Sequence, residues 1–197
     1  MAVTPDGSPV QAYLHLPPRG EAELVHAAIA PGARILEFGC GVGRITHELV
    51  RLGHPVIAVD ESPEMLAHVR GAETVLARIE DLDLGRRFPC VLLASHFVNV
   101  EEDQRDPLLR ACVRHLADDG VVVIERYAPD WVPEDAGTAQ IGDVAVTMRD
   151  VRRAGRRPRR RGARRRAPAG RAHAVADARR ARSLGRGAAI LGRIVAA

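Results

Sequence analysis

The chain has 197 residues, which is enough for one α/β domain with a sizeable core. Its net charge of +4 averages two unlike parts: residues 1–150 hold 13 Arg against 24 acidic residues, and residues 151–197 hold 16 Arg against one acid. An odd count of 3 Cys argues against a disulfide scaffold. No apolar run approaches the roughly 18 residues of a membrane-spanning helix. We therefore expect a cytoplasmic protein with no membrane partner and, since no Cys/His cluster has ligand spacing, no metal.

The N-terminal region has two predicted parts. Residues 1–17 are predicted to form a loop, and Glu21–Ala30 a helix that ends at Pro31-Gly32. Tyr13 in the loop either closes over a ligand or packs on the domain surface. His26 on the helix is more typical of a surface residue than of a ligand.

The stretch Arg34–Val50 has a short apolar run, then glycines at alternate positions, then apolar residues at helical spacing. Strand, glycine turn and helix place backbone N–H groups and a helix N-terminus against a nucleotide-like ligand. A dinucleotide fingerprint would need a third glycine where Arg44 stands, which disfavours an NAD-dependent dehydrogenase. Glu37, two residues before the first glycine, would repel a pyrophosphate but suits a cationic or hydroxylated ligand. The alternative is a tight turn without a ligand.

The next strand is predicted at Pro55–Val59, which is apolar throughout, as a parallel strand covered on both faces should be. It ends at Asp60, about 20 residues after the glycine turn, where a carboxylate can accept hydrogen bonds from ribose hydroxyls. The alternative for Asp60 is a helix cap. Ser62 and Pro63 have the residue types of a helix cap and first turn.

Two patterns in this region, E-x-G-x-G-x-G from Glu37 and AVDESPEML from Ala58, resemble the class I S-adenosylmethionine-dependent methyltransferases of the small-molecule type. The resemblance covers roughly residues 10–150. It implies a doubly wound, Rossmann-like α/β sheet, S-adenosylmethionine as cofactor, and a small-molecule methyl acceptor. The residues that it places at the cofactor are Glu37, Gly39, Gly41 and Gly43 at the methionine end, Asp60 at the ribose, and Glu61 beside the adenine.

The stretch Glu73–Leu84 is predicted to contain strand 3 and the loop that wraps the adenine in the family. In that alignment the family's Asp position falls on Arg78, whose guanidinium has no hydrogen-bond acceptor. Either Glu80 or Asp81 replaces the lost contact, or adenine specificity is weakened. The backbone of Ile79 remains usable, so Ile79 and Glu80 complete this part of the predicted cofactor site.

Strand 4 is predicted at Phe88–Ser95, with Ser95 flanking the adenine in the resemblance and His96 and Asn99 following at the ligand-binding edge of the sheet. No residue is evident as a general base; His96 is the single candidate, and its alternative is local packing or capping. A helix at Glu101–Leu116, strand 5 at Val121–Ile124 and a weakly alternating Ile141–Met148 complete the predicted elements. Residues after strand 5 that can shape an acceptor pocket are Glu125, Arg126, Tyr127 and Trp131.

The chain is predicted to divide into a cofactor-binding domain at residues 1–150 and an Arg/Ala/Gly-rich tail at 151–197. Three interpretations of the tail stay open: a shifted reading frame in a GC-rich gene, a disordered segment, and a nucleic-acid-binding arm. The arm is not favoured, since the tail has no aromatic residue to stack on bases. The family's C-terminal β-hairpin is not evident, so the sheet is predicted to be incomplete beside strand 5.

The function that this sequence indicates is methyl transfer from S-adenosylmethionine to a small molecule. Two alternatives remain: a catalytically degenerate domain that binds S-adenosylmethionine, and a nucleic-acid-associated protein that uses the basic tail.

Overall fold

The computed structural model describes residue 4 and residues 10–95, 97–127, 138–141, 144–147 and 189–195, with only the backbone for Tyr127 and the last three ranges. These ranges contain five helices and eight strands. In chain order they are α1 Val10–Leu14, α2 Glu21–Ala28, β1 Ile35–Phe38, α3 Arg44–Arg51, β2 Val56–Asp60, α4 Pro63–Leu66, β3 Glu73–Leu76, β4 Phe88–Leu93, α5 Glu102–His115, β5 Leu116–Tyr127, β6 Thr138–Ile141, β7 Val144–Thr147 and β8 Ala189–Val195.

Six strands form one sheet in the order β3-β2-β1-β4-β5-β8, and β6 and β7 form a separate antiparallel pair. The first five strands of the large sheet are parallel, and β8 is antiparallel to β5. The winding direction reverses between β1 and β4, so their carboxyl ends form the crevice where open α/β sheets bind ligands. This is the predicted doubly wound α/β fold.

The core lies on both faces of the sheet. One cluster packs α5 against residues such as Phe38 and Phe88, and the other packs α2 and α3 against Ile35 and Leu92. Successive residues of a strand point to opposite faces, and both faces of this sheet are covered. Every residue of β1 is therefore buried, and all of them except Glu37 are apolar.

The predicted N-terminal loop instead contains the short helix α1. Val10 and Ala12 of this helix are buried, and Val10 packs with Val42 and Met65 beside the glycine turn. The segment is helical because these contacts with the domain bury its apolar side chains, which is a tertiary effect that local periodicity does not reveal.

Strand β5 is longer than the predicted Val121–Ile124 and includes Asp118-Asp119-Gly120, whose residue types are typical of a turn. Between the pairs Phe88–Leu116 and Cys90–Val121, β4 advances two residues while β5 advances five, so the turn residues form a bulge within the strand. A Cβ at Gly120 would lie 3.0 Å from the carbonyl oxygen of Phe88, which explains the glycine there.

The prediction that the sheet is incomplete beside strand 5 is wrong. Backbone pairs from Val121–Val195 to Tyr127–Ala189 join β8 to that edge. The sequence of β8, AILGRIV, is a short apolar stretch that the surrounding arginines and alanines obscure. Trp131 and the arginine run at 156–166 lie outside the described residues. No helix in the described part of the chain combines the length and apolar character needed to cross a membrane.

Candidate functional site

A cavity of about 450 Å³ lies at the carboxyl ends of β1, β2 and β4, in the crevice between the two halves of the sheet. Its walls come from the glycine turn, the end of β2, the loop after β3, the turn after β4 and the first turns of α5. Tyr13 of α1 lines the same cavity and packs against the Val10 cluster, which is the packing expected of it. Its closure over a ligand stays a prediction.

Seven of the nine residues predicted to bind the cofactor line this cavity: Gly39, Gly41, Asp60, Glu61, Ile79, Glu80 and Ser95. Glu37 and Gly43 do not line it. Glu37 is buried beneath the glycine turn, and Gly43 precedes the first residue of α3. The candidate base His96 lies outside the described residues.

The glycine turn brings the backbone close to the cavity because its glycines adopt left-handed conformations. Gly39 has φ 65° and Gly41 has φ 56°, values that residues with a Cβ rarely take. A Cβ on Gly39 would collide with the ring of Phe97, whereas a Cβ on Gly41 would meet no atom within 4 Å. Gly41, which lines the cavity, therefore has open space where a Cβ would stand.

Asp60 links the glycine turn to the end of β2. Its Oδ2 accepts a hydrogen bond from the backbone N–H of Gly41 at 2.8 Å, and its Oδ1 accepts one from the N–H of Ser62 at 3.0 Å. Ser62 then caps α4, as predicted, by accepting from the N–H of Met65 at 3.2 Å. Each carboxylate oxygen keeps a further lone pair, so Asp60 can also accept from ligand hydroxyls.

Glu37 is fixed below this turn. It is 2% exposed, and its Oε2 accepts a hydrogen bond from Thr46 Oγ1 at 2.6 Å. Burial raises the pKa of Glu37 to about 7 and the charge of Asp60 adds to the rise, while the Thr46 bond and the charge of Arg44 oppose it. Glu37 thus ties β1 to α3 and supports the turn from behind.

Cys40, within the glycine turn, is not a nucleophile. Its side chain is buried, and burial together with the charges of Glu37 and Asp60 raises the pKa of the thiol well above its ordinary value. A neutral thiol is a poor nucleophile and a poor metal ligand. Within the described residues, no group of three or more His, Cys, Asp or Glu side chains is arranged to hold a metal ion.

The far end of the cavity is formed by the loop after β3. Arg78 donates to Glu80 through Nη2 and, at 3.2 Å, through Nε, and its Nε lies 3.6 Å from Asp81 Oδ2. The hydrogen bond from Arg78 lowers the pKa of Glu80 although partial burial opposes this. The same bond to Glu80 raises the pKa of Arg78, with smaller contributions from the charges of Asp81 and Glu61.

The turn after β4 forms the wall between these two ends. Ser95 has φ 65°, and its N–H donates to Glu125 Oε2 at 2.6 Å. Asn99 Nδ2 donates to the carbonyl oxygens of Ser95 and Glu125, each at 3.3 Å. These bonds hold a strained backbone conformation that places the ring of Phe97 against Gly39.

Several cavity residues were not predicted from the sequence, notably Phe97, Asp103, Gln104, Pro107 and Leu108. They belong to the turn after β4 and to the start of α5. The position of the turn after β4 at the ligand-binding edge of the sheet could have indicated Phe97. The α5 residues could not be predicted in this way, because the packing of α5 decides which of its sides faces the cavity.

The chemistry of the walls fits a cationic ligand that carries hydroxyls. Four carboxylates line the cavity, from Asp60, Glu61, Glu80 and Asp103, against the single guanidinium of Arg78 among the described lining residues. This balance opposes a pyrophosphate and favours positive charge. The open space at Gly41 and the lone pairs of Asp60 suit a nucleoside-like body.

The known proteins that this chain resembles are described as methyltransferases. Residues 35–120 match the family model described as a methyltransferase domain. A ubiquinone biosynthesis O-methyltransferase of Xanthomonas campestris pv. campestris is 31% identical over 128 residues, which are 60% of this chain and 54% of that protein. The chain thus spans about half the length of the curated relatives that it matches.

Solved structures agree with this assignment. A TehB-like SAM-dependent methyltransferase from Corynebacterium glutamicum superposes with a TM-score of 0.51 at 32% identity, covering 58% of this chain and 66% of that one. A glycopeptide N-methyltransferase, MtfA, in complex with S-adenosylmethionine superposes with a TM-score of 0.54 over 75% of this chain and 70% of that one. Its identity of 19% supports the fold alone. Residues 35–120 are therefore similar to the methyltransferase domain of S-adenosylmethionine-dependent methyltransferases.

Proposed function

We propose that this protein transfers a methyl group from S-adenosylmethionine to a small-molecule acceptor in the cytoplasm. The observation that carries the proposal is the position of Asp60, which accepts from the backbone of the glycine turn and also lines a cavity rich in carboxylates. The described cysteines Cys40, Cys90 and Cys112 are buried free thiols, which agrees with a reducing compartment.

The proposed cofactor site follows the cavity from end to end. The backbone of Gly39 and Gly41 receives the methionine end, with Glu37 and Gly43 as support behind the turn. Asp60 accepts from the ribose hydroxyls, and Glu61, Ile79, Glu80 and Ser95 surround the adenine.

The bound cofactor supplies an electrophilic methyl group on a sulfonium, so the chain mainly has to align the reactants and exclude water. Phe97 and Tyr13 are placed to do this, since both line the cavity and neither carries a full charge. An oxygen or nitrogen acceptor also needs a group to take its proton. His96 remains our candidate for that base.

We propose a small molecule as the methyl acceptor, and we do not assign the atom that accepts the methyl group. One relative is named as an O-methyltransferase of ubiquinone biosynthesis, and one solved structure is named as a glycopeptide N-methyltransferase. Both names describe acceptors other than nucleic acid, which supports a small-molecule role here without specifying the chemistry of the accepting group.

We also propose that residues 1–150 form the catalytic domain and that residues 151–197 are an Arg/Ala/Gly-rich tail of native or shifted-frame origin, whose strand β8 pairs with the sheet of that domain. Sequencing the gene across the codons for residues 150–166 tests its origin. An undisturbed frame, with the same arginine run in relatives, would exclude the shifted frame.

Calorimetric titration of S-adenosylmethionine and S-adenosylhomocysteine into the full-length protein tests the proposed function. We expect micromolar binding that Asp60→Ala weakens at least about 100-fold, because the variant loses the ribose acceptor and the tie to the glycine turn. Asp83→Ala is the matched control, since Asp83 also accepts from a backbone N–H, that of Gly85, but lies on the exposed surface. Failure of the folded wild-type protein to bind either compound would refute the proposal and favour a degenerate domain.

A further inference from the structure

We infer that Glu125, at the end of β5, is a positioning residue for the cofactor site, because it holds the turn after β4 in the shape that forms the cavity wall. The inference rests on the proposed function, since it assumes that the cavity holds an adenosyl group. Glu125 is not among the described residues that line the cavity, so it acts on the cofactor through Ser95 and Phe97, which do line it.

The register of the sheet brings Glu125 to Ser95. The parallel pairing of β4 with β5 ends at the pair Leu93–Ile124, so Glu125 is the next residue of β5 and Ser95 lies two residues past the end of β4. There the N–H of Ser95 donates to Oε2 of Glu125 at 2.6 Å, and a side-chain carboxylate takes the place of a strand carbonyl. The turn after β4 is therefore fastened to β5 at a point where the strand pairing no longer holds it.

Ser95 depends on this bond because its backbone conformation is strained. Its φ of 65° is the only positive value at a non-glycine residue in the part of the chain that the structure describes. The penalty for a left-handed residue with a Cβ corresponds to a factor of about 5 to 30 in equilibrium constant, in favour of a relaxed backbone. Without the acceptor on Glu125, we therefore expect Ser95 to return to a negative φ.

A second contact fastens the carbonyl side of the same residue. Asn99 Nδ2 donates to the carbonyl oxygens of Ser95 and Glu125, each at 3.3 Å. Both backbone polar groups of Ser95 are thus connected to Glu125, one directly and one through Asn99. The ring of Phe97, two residues after Ser95, lies against Gly39 of the glycine turn. A change of φ at Ser95 redirects the chain that follows, so it displaces both cavity-lining residues of this turn together.

The test is a double-mutant cycle measured by calorimetric titration of S-adenosylhomocysteine into full-length protein. Glu125→Ala should weaken binding about tenfold, which lies within the penalty for a left-handed residue, because Ser95 relaxes when it loses its acceptor. In a Ser95→Gly background, the same Glu125→Ala change should weaken binding at most about threefold, because glycine adopts this φ without the penalty. The cycle measures the coupling of the two residues whatever Ser95→Gly does alone.

Two further variants separate the hydrogen bond from the charge. Glu125→Gln keeps an oxygen that can accept from the N–H of Ser95, so its affinity should stay within about threefold of wild type. Asp83→Ala is the matched control and should leave the affinity unchanged. Asp83 also accepts from the N–H of a left-handed residue, but that residue is Gly85 with φ 61°, which carries no such penalty and lies on the exposed surface.

Melting curves verify that each variant is folded. The double variant Ser95→Gly, Glu125→Ala should fold even if Glu125→Ala alone does not, because it has no strained residue in this turn. Its affinity relative to Ser95→Gly alone then provides the test.

The outcomes distinguish this inference from the function on which it rests. Wild-type affinity in Glu125→Ala, an equal loss with Ser95 present or replaced by glycine, or a tenfold loss in Glu125→Gln would each overturn the positioning role while the methyltransferase proposal stands. Failure of the folded wild type to bind would overturn both.

Discussion

The two ends of the cavity are built differently. The glycine end, formed by Gly39, Gly41 and Asp60 above Glu37, is held by backbone hydrogen bonds and a buried carboxylate. The purine end consists of Arg78, Glu80 and Asp81, and it is held by ion pairs that Arg78 makes with the two acids. The side chain of Arg78 is 62% exposed. Buried bonds contribute to folding, and exposed ion pairs contribute little. Changes at the glycine end should therefore alter stability, and changes at the purine end should alter ligand choice alone.

Replacing the buried acid of the glycine end, Glu37→Gln, should give the largest stability change. The pKa of Glu37 is about 7 in the folded protein against an ordinary 4.5, so the folded state retains its proton over that interval while the unfolded state releases it. The wild type should therefore lose stability as pH rises from about 4.5 to 7. Because Gln does not titrate, the variant should be about 3 kcal/mol more stable than wild type by pH 8. Urea unfolding from pH 5 to pH 8 measures this difference.

Thr46→Val is the companion variant. Thr46 Oγ1 stabilises the ionised form of Glu37, so its removal should raise the pKa of Glu37 further. The pH-dependent loss of stability should then still begin near the ordinary pKa but continue to a higher pH than in the wild type. Unfolding free energies of wild type and Glu37→Gln that run parallel across this range would show that Glu37 ionises as an exposed acid does.

The second prediction separates backbone strain from ligand binding at the glycine end. Gly41 and Gly32 have φ of 56° and 72°, and a Cβ on either would meet nothing within 4 Å. Each Gly→Ala change should thus destabilise the fold by a similar 1–2 kcal/mol, approximately the penalty for a left-handed residue. Only Gly41→Ala should weaken the binding of S-adenosylhomocysteine, by about tenfold or more, since Gly41 lines the cavity and Gly32 is not among its described lining residues.

Melting curves and calorimetric titration of both variants provide the measurement. Equal affinities of Gly41→Ala and Gly32→Ala for S-adenosylhomocysteine would contradict the position that we give the cofactor.

The smallest effect is expected at the purine end. Arg78→Met removes an exposed ion pair, so its melting temperature should match that of wild type at both low and high salt. Its affinity for S-adenosylhomocysteine should nevertheless fall. A drop in melting temperature as large as that of Gly32→Ala would show that the two ends do not differ in the way described.

Much of the glycine end was predictable because its constraints are local. Three glycines, an acid before them and Asp60 after the next strand have fixed spacings, and the sheet register then brings Asp60 to the N–H of Gly41. The parallel strands were predictable for the same reason, since burial on both faces leaves uninterrupted apolar runs.

The rest depended on tertiary contacts. Helix α1 is stabilised by packing against Val42 and Met65, and strand β8 by pairing with an edge 62 residues earlier, from Tyr127 to Ala189. The choice between Glu80 and Asp81 required knowing which side chain turns inward. Ser95 adopts a left-handed conformation two residues before Phe97, whose ring contacts Gly39, and the residue type of Ser95 does not indicate that conformation.

The rates at which the buried thiols react with a labelling reagent report which parts of the protein open. Cys90 and Cys112 lie within the two core clusters, whereas Cys40 lies in the glycine turn itself. A thiol reagent can reach the first two only when the sheet comes apart, but it can reach Cys40 whenever the turn alone opens. The labelling rate of Cys40 relative to the other two therefore reports how often the glycine end opens by itself, and a ligand seated there would slow that one rate selectively.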